Sequence, residues 1–375
     1  MWTSTAEADL KSAFDDAIKN AYGSGLNGEL ENLAELFSPA ALYAYKTSLL
    51  KGLDNQSDAA VDLAWIDKRP VAYRAKVNAS PIADEVIKPG CELGDMLLIA
   101  NTYGPDGTLQ KSQACILEVK QANAVPIPAV PVFPNEDSTR NQFKILESWP
   151  KLYGIKKTGS NNDYLVKAVN TWPNSPKNGG VRAQAWYVAV LSHGTPLGTL
   201  KSPWMAAPAV SGEPFDKYTL GEIFSACAQG ISLKTSIGDI QVGREFERKN
   251  YASASNWNAV INSIIHTTQA YDLPKSLFPS DELSRYFWGY RARGSWMWGA
   301  IGLALPSTEF TTGVVTGLAI SAAAFMALRL YKWVQDRQDH ERRLEDWEAQ
   351  KADRFWILSF NVKLSRPLDE VSRPD

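Results

Sequence analysis

The stretch ELGDMLLIANTYGPDGTLQKSQACILEVKQ, Glu92 to Gln121, decides how this chain is read. It holds two apolar runs of strand length, Met96 to Ala100 and Ala114 to Leu117, separated by the turn signal Gly104-Pro105-Asp106-Gly107. The pattern predicts a β-hairpin. Antiparallel pairing then brings Asp95, at the head of the first strand, near Glu118 and Lys120 at the end of the second. Side chains alternate along a strand, so Glu118 and Lys120 share one face and Val119 points to the other. Two carboxylates and an ammonium converge.

Such a cluster has a chemical use. Carboxylate oxygens make a hard site suited to Mg²⁺ or Mn²⁺, and an adjacent lysine orients water or stabilises charge growing on a phosphate. The chemistry suggested is hydrolysis of a phosphodiester. The bland alternative is a solvated strand end with a surface ion pair worth about 0–1 kcal/mol. Acid-x-lysine triplets also occur at Asp9-Leu10-Lys11 and Glu247-Arg248-Lys249, in polar, helix-like surroundings with no upstream Gly-Asp strand.

Gly94-Asp95 followed by Glu118-Val119-Lys120-Gln121 resembles the PD-(D/E)xK nuclease superfamily over about residues 70 to 190. The chain departs from the eponymous pattern in having Gly before the aspartate. The resemblance implies an α/β fold, a restriction-endonuclease-like mixed sheet flanked by helices. It also implies Asp95 and Glu118 as metal ligands, the Val119 carbonyl as a third ligand, Lys120 positioning the attacking water and Gln121 completing the motif. Family members often add a glutamate from a helix before the first strand. Glu31 and Glu35, one turn apart on a predicted helix, are the candidates, against a reading as solvated helix-face acids. Asp84 and Glu85 are further carboxylates to weigh.

Composition sets the outer bounds. A chain of 375 residues, 45% hydrophobic, is long enough for two or three domains. A net charge of -2 excludes a surface uniformly coated for nucleic acid, so any such contact comes from a local patch. Three cysteines and three histidines are spaced unlike any zinc motif, and the sparse, odd cysteine count fits a reducing compartment. No G-x-x-x-x-G-K-[ST] loop is present, which argues against a nucleotide-driven motor. No basic stretch leading into an apolar core opens the chain, so no secretory signal is expected.

In order, helical spacing runs through Ala6–Ala21, Leu30–Phe37 and Pro39–Leu50, and Pro70 introduces an expected strand over Val71–Ala79. The proline-rich Ala124–Pro134 reads as a loop, Asn141–Trp149 as a short helix and Val181–Leu191 as a strand. From Arg140 to Arg182, eight basic residues face two acids, Glu147 and Asp163. Lys144, Lys151, Lys156, Lys157 and Arg182 are therefore candidates for a nucleic-acid-binding patch, DNA favoured, with Trp149, Trp172 and Tyr164 available to stack on bases. The other reading is a solvated surface whose aromatics belong to the core.

The first expected domain is the nuclease-like unit over 1–205, and 206–285 is a helical or mixed region of no legible role. Residues 286–335 read as an apolar helical hairpin. Its second arm, Phe310 to Leu328, is uncharged and about 28 Å long as a helix, close to the thickness of a bilayer core. Basic residues flank both arms, which fits a hairpin with both ends on the cytoplasmic side of a membrane; burial in a soluble protein or an oligomer core is the alternative. Residues 336–375 follow as a charged helix and a terminal strand, Phe355–Leu364, expected to pair with another sheet or a partner. Two functions compete: a Mg²⁺- or Mn²⁺-dependent, membrane-tethered nuclease held in check by a regulatory protein, as a defence effector is, or a membrane-attached interaction or sensor protein with a non-catalytic nuclease-like fold.

Overall fold

The hairpin forms. In the computed structural model, which describes residues 2–22, 28–67, 69–76, 85–132, 137–150, 152–157, 164–169, 184–247, 256–266 and 354–366, strand residues Met96 to Tyr103 pair antiparallel with Leu109 to Ala122. Gly107 takes φ +81°, a conformation that costs glycine little, and its N–H donates to the Gly104 carbonyl at 3.0 Å. The Asp106 carboxylate accepts from the Thr108 N–H and hydroxyl at 3.0 and 2.7 Å, locking the turn.

Helices α1 (Ala6–Tyr22), α2 (Glu29–Glu35) and α3 (Pro39–Lys51) precede strands β1 (Asp58–Asp67), β2 (Pro70–Lys76), β3 (Glu85–Glu92), β4 (Met96–Tyr103) and β5 (Leu109–Ala122). Then come α4 (Asp137–Ser148), β6 (Leu152–Lys157), β7 (Tyr164–Val169), β8 (Ala185–Leu191), β9 (Trp204–Pro208) and β10 (Tyr218–Thr219). The remainder is α5 (Leu220–Gln229), β11 (Ser232–Thr235), β12 (Gly238–Gln241), β13 (Arg244–Glu245), α6 (Asn256–His266) and β14 (Arg354–Lys363).

The main sheet runs β1-β14-β4-β5-β8-β9-β10, with β13 beside β5. It is mixed: β14 pairs parallel with β4 and β5 parallel with β8, while the other neighbours are antiparallel. A second, four-stranded sheet orders β3-β2-β6-β7. Strands β4 and β8 are apolar on both sides because both sides are covered. On one face, Phe14, Tyr45 and Phe224 from the helices cluster on Phe360 with ring centroids 5.2 to 6.3 Å away. On the other, Leu97, Ile99, Ile116 and Ile357 pack with Ala72, Leu152 and Ile155 of the second sheet and with Trp149 and Trp257. The chain is thus α/β, a mixed sheet flanked by helices.

The C-terminal strand takes the first of its two expected pairings, with a sheet of the same chain. Rather than meeting a partner, β14 lies inside the main sheet between β1 and β4. Its alternation FWILSF is apolar on both faces, which suits a central position. Every described residue, including those of 206–285 and β14, belongs to one compact unit spanning 1–291 and 352–375. The apolar hairpin of 286–335, Phe310–Leu328 included, and the charged helix after it lie outside the described residues. Among the described residues, no helix is long and apolar enough to cross a membrane.

A buried polar row fixes the register of β14. Asn101 Nδ2 donates to Ser359 Oγ and Asn361 Oδ1 at 2.8 and 2.6 Å, Ser112 Oγ donates to Asn101 Oδ1 at 3.0 Å, and Asn361 Nδ2 donates to Asp62 Oδ2 at 2.9 Å. A two-residue slip would keep every apolar side chain on its proper face but break this row. Asn101→Ala is therefore expected to cost about 1–3 kcal/mol in a urea titration, because its buried partners lose their match.

Candidate metal centre

Local backbone chemistry places the acids. Gly94 takes φ +117°, and a Cβ there would stand 2.5 Å from Ile116 Cγ2 and 3.1 Å from the Leu117 carbonyl oxygen, which explains the glycine ahead of Asp95. The Asp95 N–H then donates to the Leu117 carbonyl at 3.0 Å, and the Asp95 carbonyl accepts from the Trp356 N–H at 3.1 Å. Strand β5 continues past the point where β4 has ended. On the edge left open, Asp95 Oδ2 accepts the Val119 N–H at 2.7 Å and Glu29 Oε2 accepts the Gln121 N–H at 3.0 Å. A strand residue's carbonyl faces the same neighbour as its N–H. The Val119 carbonyl accordingly lies between these two carboxylates.

Glu118 and Lys120 share the face predicted for them and form an ion pair. Asp95 and Glu118 are sealed from solvent, at 1% and 0% exposure, whereas the side chains of Lys120 and Glu29 are 16% and 25% exposed and form the mouth. Gln142 Nε2, from α4, donates to Glu118 Oε2 at 2.5 Å. Arg69, just ahead of β2, lies 3.3 Å from Asp95 Oδ1 and pairs with Glu92.

Burial, and then the Asp95 charge, push the Glu118 carboxyl well above the ordinary range, although Lys120 pulls the other way. Glu29 is raised mainly by burial, against the pull of Lys120. Burial alone would lower Lys120, but Glu118, Asp95 and Glu29 outweigh it and hold the ammonium above the usual lysine value. Among these acids Lys120 carries its positive charge.

Several candidates need correction. The α2 acid seen to reach β5 is Glu29, which accepts the Gln121 N–H, while Glu31 is exposed and Glu35 half-buried. Asn32, Leu33 and Phe37 are buried, and Glu29 lies three and four residues before the first two, a phase visible in the sequence. Gln121 contributes its backbone N–H to Glu29, while its side-chain Nε2 donates to Ser192 Oγ at 2.9 Å. Trp149 is 1% exposed and meets Trp257 edge-on at 5.3 Å; it belongs to the core and is not free to stack on a base.

Of the basic candidates, Lys144 is exposed on α4, Lys156 is partly exposed on β6 and Lys157 ends that strand. Lys151, Arg182, Trp172 and Asp84 lie outside the described residues. Tyr164 opens β7 and Glu85 opens β3. Arg69 and Gln142 were not picked out as site residues. Gln142 does have a signal, since it adjoins Phe143, Ile145 and Leu146 on the buried side of α4. Arg69 precedes its strand and has none.

The donor set fits a hard divalent cation. Glu118 Oε1 is buried and, although the Lys120 ammonium is close, accepts no hydrogen bond of regular geometry. Among the described residues, no three Asp, Glu, His or Cys side chains close in to enclose an ion by themselves. Mg²⁺ sites commonly use one or two carboxylates and keep several waters, so Asp95, Glu118 and the Val119 carbonyl are the oxygens that would hold one here. Gln142→Ala is expected to weaken Mn²⁺ binding by about 10- to 100-fold in a calorimetric titration, because the amide orients the Glu118 carboxylate.

Compared with known proteins, no family model, curated protein or solved structure matches the chain.

Proposed function

We propose that the chain is a metal-dependent nuclease with a restriction-endonuclease-like arrangement, hydrolysing phosphodiester bonds in nucleic acid, DNA favoured. The observation that carries the reading is the convergence of Asp95, Glu118 and Lys120 at the open end of one hairpin. Asp95, Glu118 and the Val119 carbonyl hold Mg²⁺ or Mn²⁺, with Glu29 beside them at the mouth. When bound, the ion polarises a phosphate and lowers the pKa of water. Lys120 supplies a fixed ammonium that orients the attacking water and offsets charge growing on phosphorus. Gln142 keeps the Glu118 carboxylate aimed, and Gly94 lets the chain pass close enough to β5 for Asp95 to meet Val119.

One observation favours a second reading, a non-catalytic binding protein: Lys120 and Arg69 already pair with the acids, and Asp95 and Glu118 are sealed. Incubation of the purified chain with single- and double-stranded DNA and RNA separates the two. The nuclease reading expects cleavage with Mg²⁺ or Mn²⁺ and none with chelator. Nucleic acid left intact under every metal condition would favour the binding protein.

A further inference from the structure

The least explained cation near the acids is Arg69. Its guanidinium stands 3.3 Å from the buried Asp95 Oδ1 and also pairs with Glu92, whose side chain is 42% exposed, so it bridges the sealed interior and the rim. Asp95 and Glu92, the first of its charge partners to act, hold it firmly protonated against the opposing effect of burial. Without an ion, such an arginine, together with the Lys120 charge, neutralises a buried carboxylate that also accepts the Val119 N–H. A divalent ion on Asp95 and Glu118 makes that neutralisation redundant and repels the guanidinium across a few ångströms. A phosphodiester entering the pocket brings negative charge back, and the planar fork of arginine matches two phosphate oxygens.

We propose that Arg69 is a substrate-contacting residue that gives up Asp95 when the ion binds and takes the oxygens of the phosphate to be cut, with Glu92 keeping it at the rim. Arg69 thus competes with the metal in the free protein and joins it in the complex. The inference rests on the nuclease reading and specifies which residue grips the substrate. It implies an unusual pair of effects: removing Arg69 strengthens metal binding while weakening catalysis. A merely structural arginine would weaken both.

The test compares wild type, Arg69→Ala and Arg69→Lys by Mn²⁺ titration and by cleavage of a DNA oligonucleotide, with added guanidinium ion at concentrations below denaturation. For Arg69→Ala, Mn²⁺ affinity is expected to rise about tenfold and kcat/KM to fall about 100-fold. Guanidinium should partly restore the rate, and Arg69→Lys should keep the charge but recover little, lacking the fork. Mn²⁺ binding that is unchanged or weaker in Arg69→Ala, or cleavage as fast as wild type, would overturn the proposal and leave the nuclease reading standing. A wild type that neither binds Mn²⁺ nor cleaves would overturn both.

Discussion

Glu118→Gln is expected to lower metal-dependent cleavage by about 10³-fold or more, since it removes one of the two carboxylates that hold the ion and so several kcal/mol of transition-state stabilisation. The fold should survive. Glutamine has nearly the same shape, its carbonyl can accept from Gln142 Nε2, and Lys120 keeps Glu29 at 4.0 Å. Loss of a buried negative charge, held beside that of Asp95, offsets part of what Lys120 loses. Single-turnover cleavage with Mg²⁺, alongside circular dichroism, reads both effects. A rate within about threefold of wild type would mean that the ion, if there is one, sits elsewhere.

Lys120→Met should be the most destabilising change in the site, and its cost should depend on pH. It strips the partner from a carboxylate that has 0% exposure, which typically costs about 3–5 kcal/mol. The Glu118 carboxyl is already raised above its ordinary value of 4.5 by burial and the Asp95 charge, and losing Lys120 raises it further. An acid with a raised folded-state pKa favours the folded state while it is protonated. Its cost is absent below about 4.5, grows as pH rises, and is complete above the folded-state value. Chemical denaturation should therefore show a larger deficit for Lys120→Met at pH 8 than at pH 5. Equal deficits at the two pH values would show that Glu118 is not the group left unpaired.

Local signals and long-range pairings explain what the sequence disclosed. The hairpin was legible because two unbroken apolar runs of strand length flank a Gly-Pro-Asp-Gly turn, and those few residues settle the register that joins Asp95 to Glu118. Helix α5 starts at a Thr219/Glu222 capping box and ends at Gly230. Strand β14 was recognised as a strand but not placed. Its partner Asn101 lies 260 positions from Asn361, and nothing local encodes such a pairing. Strand β1, DAAVDLAWID, went unread because its alanines and aspartates give neither strong β propensity nor clean alternation. Within the site, Asp95, Glu118 and Lys120 followed from strand geometry alone. Glu29 depended on the phase of a seven-residue helix, and Arg69 on how a connecting residue enters the second sheet.

The most direct test is anomalous diffraction from crystals of the chain soaked in millimolar Mn²⁺. A single strong peak is expected within about 2.1–2.2 Å of carboxylate oxygens of both Asp95 and Glu118 and of the Val119 carbonyl. A peak bound to other residues, or none while Asp95 still holds Arg69, would contradict a metal centre at the open end of the hairpin.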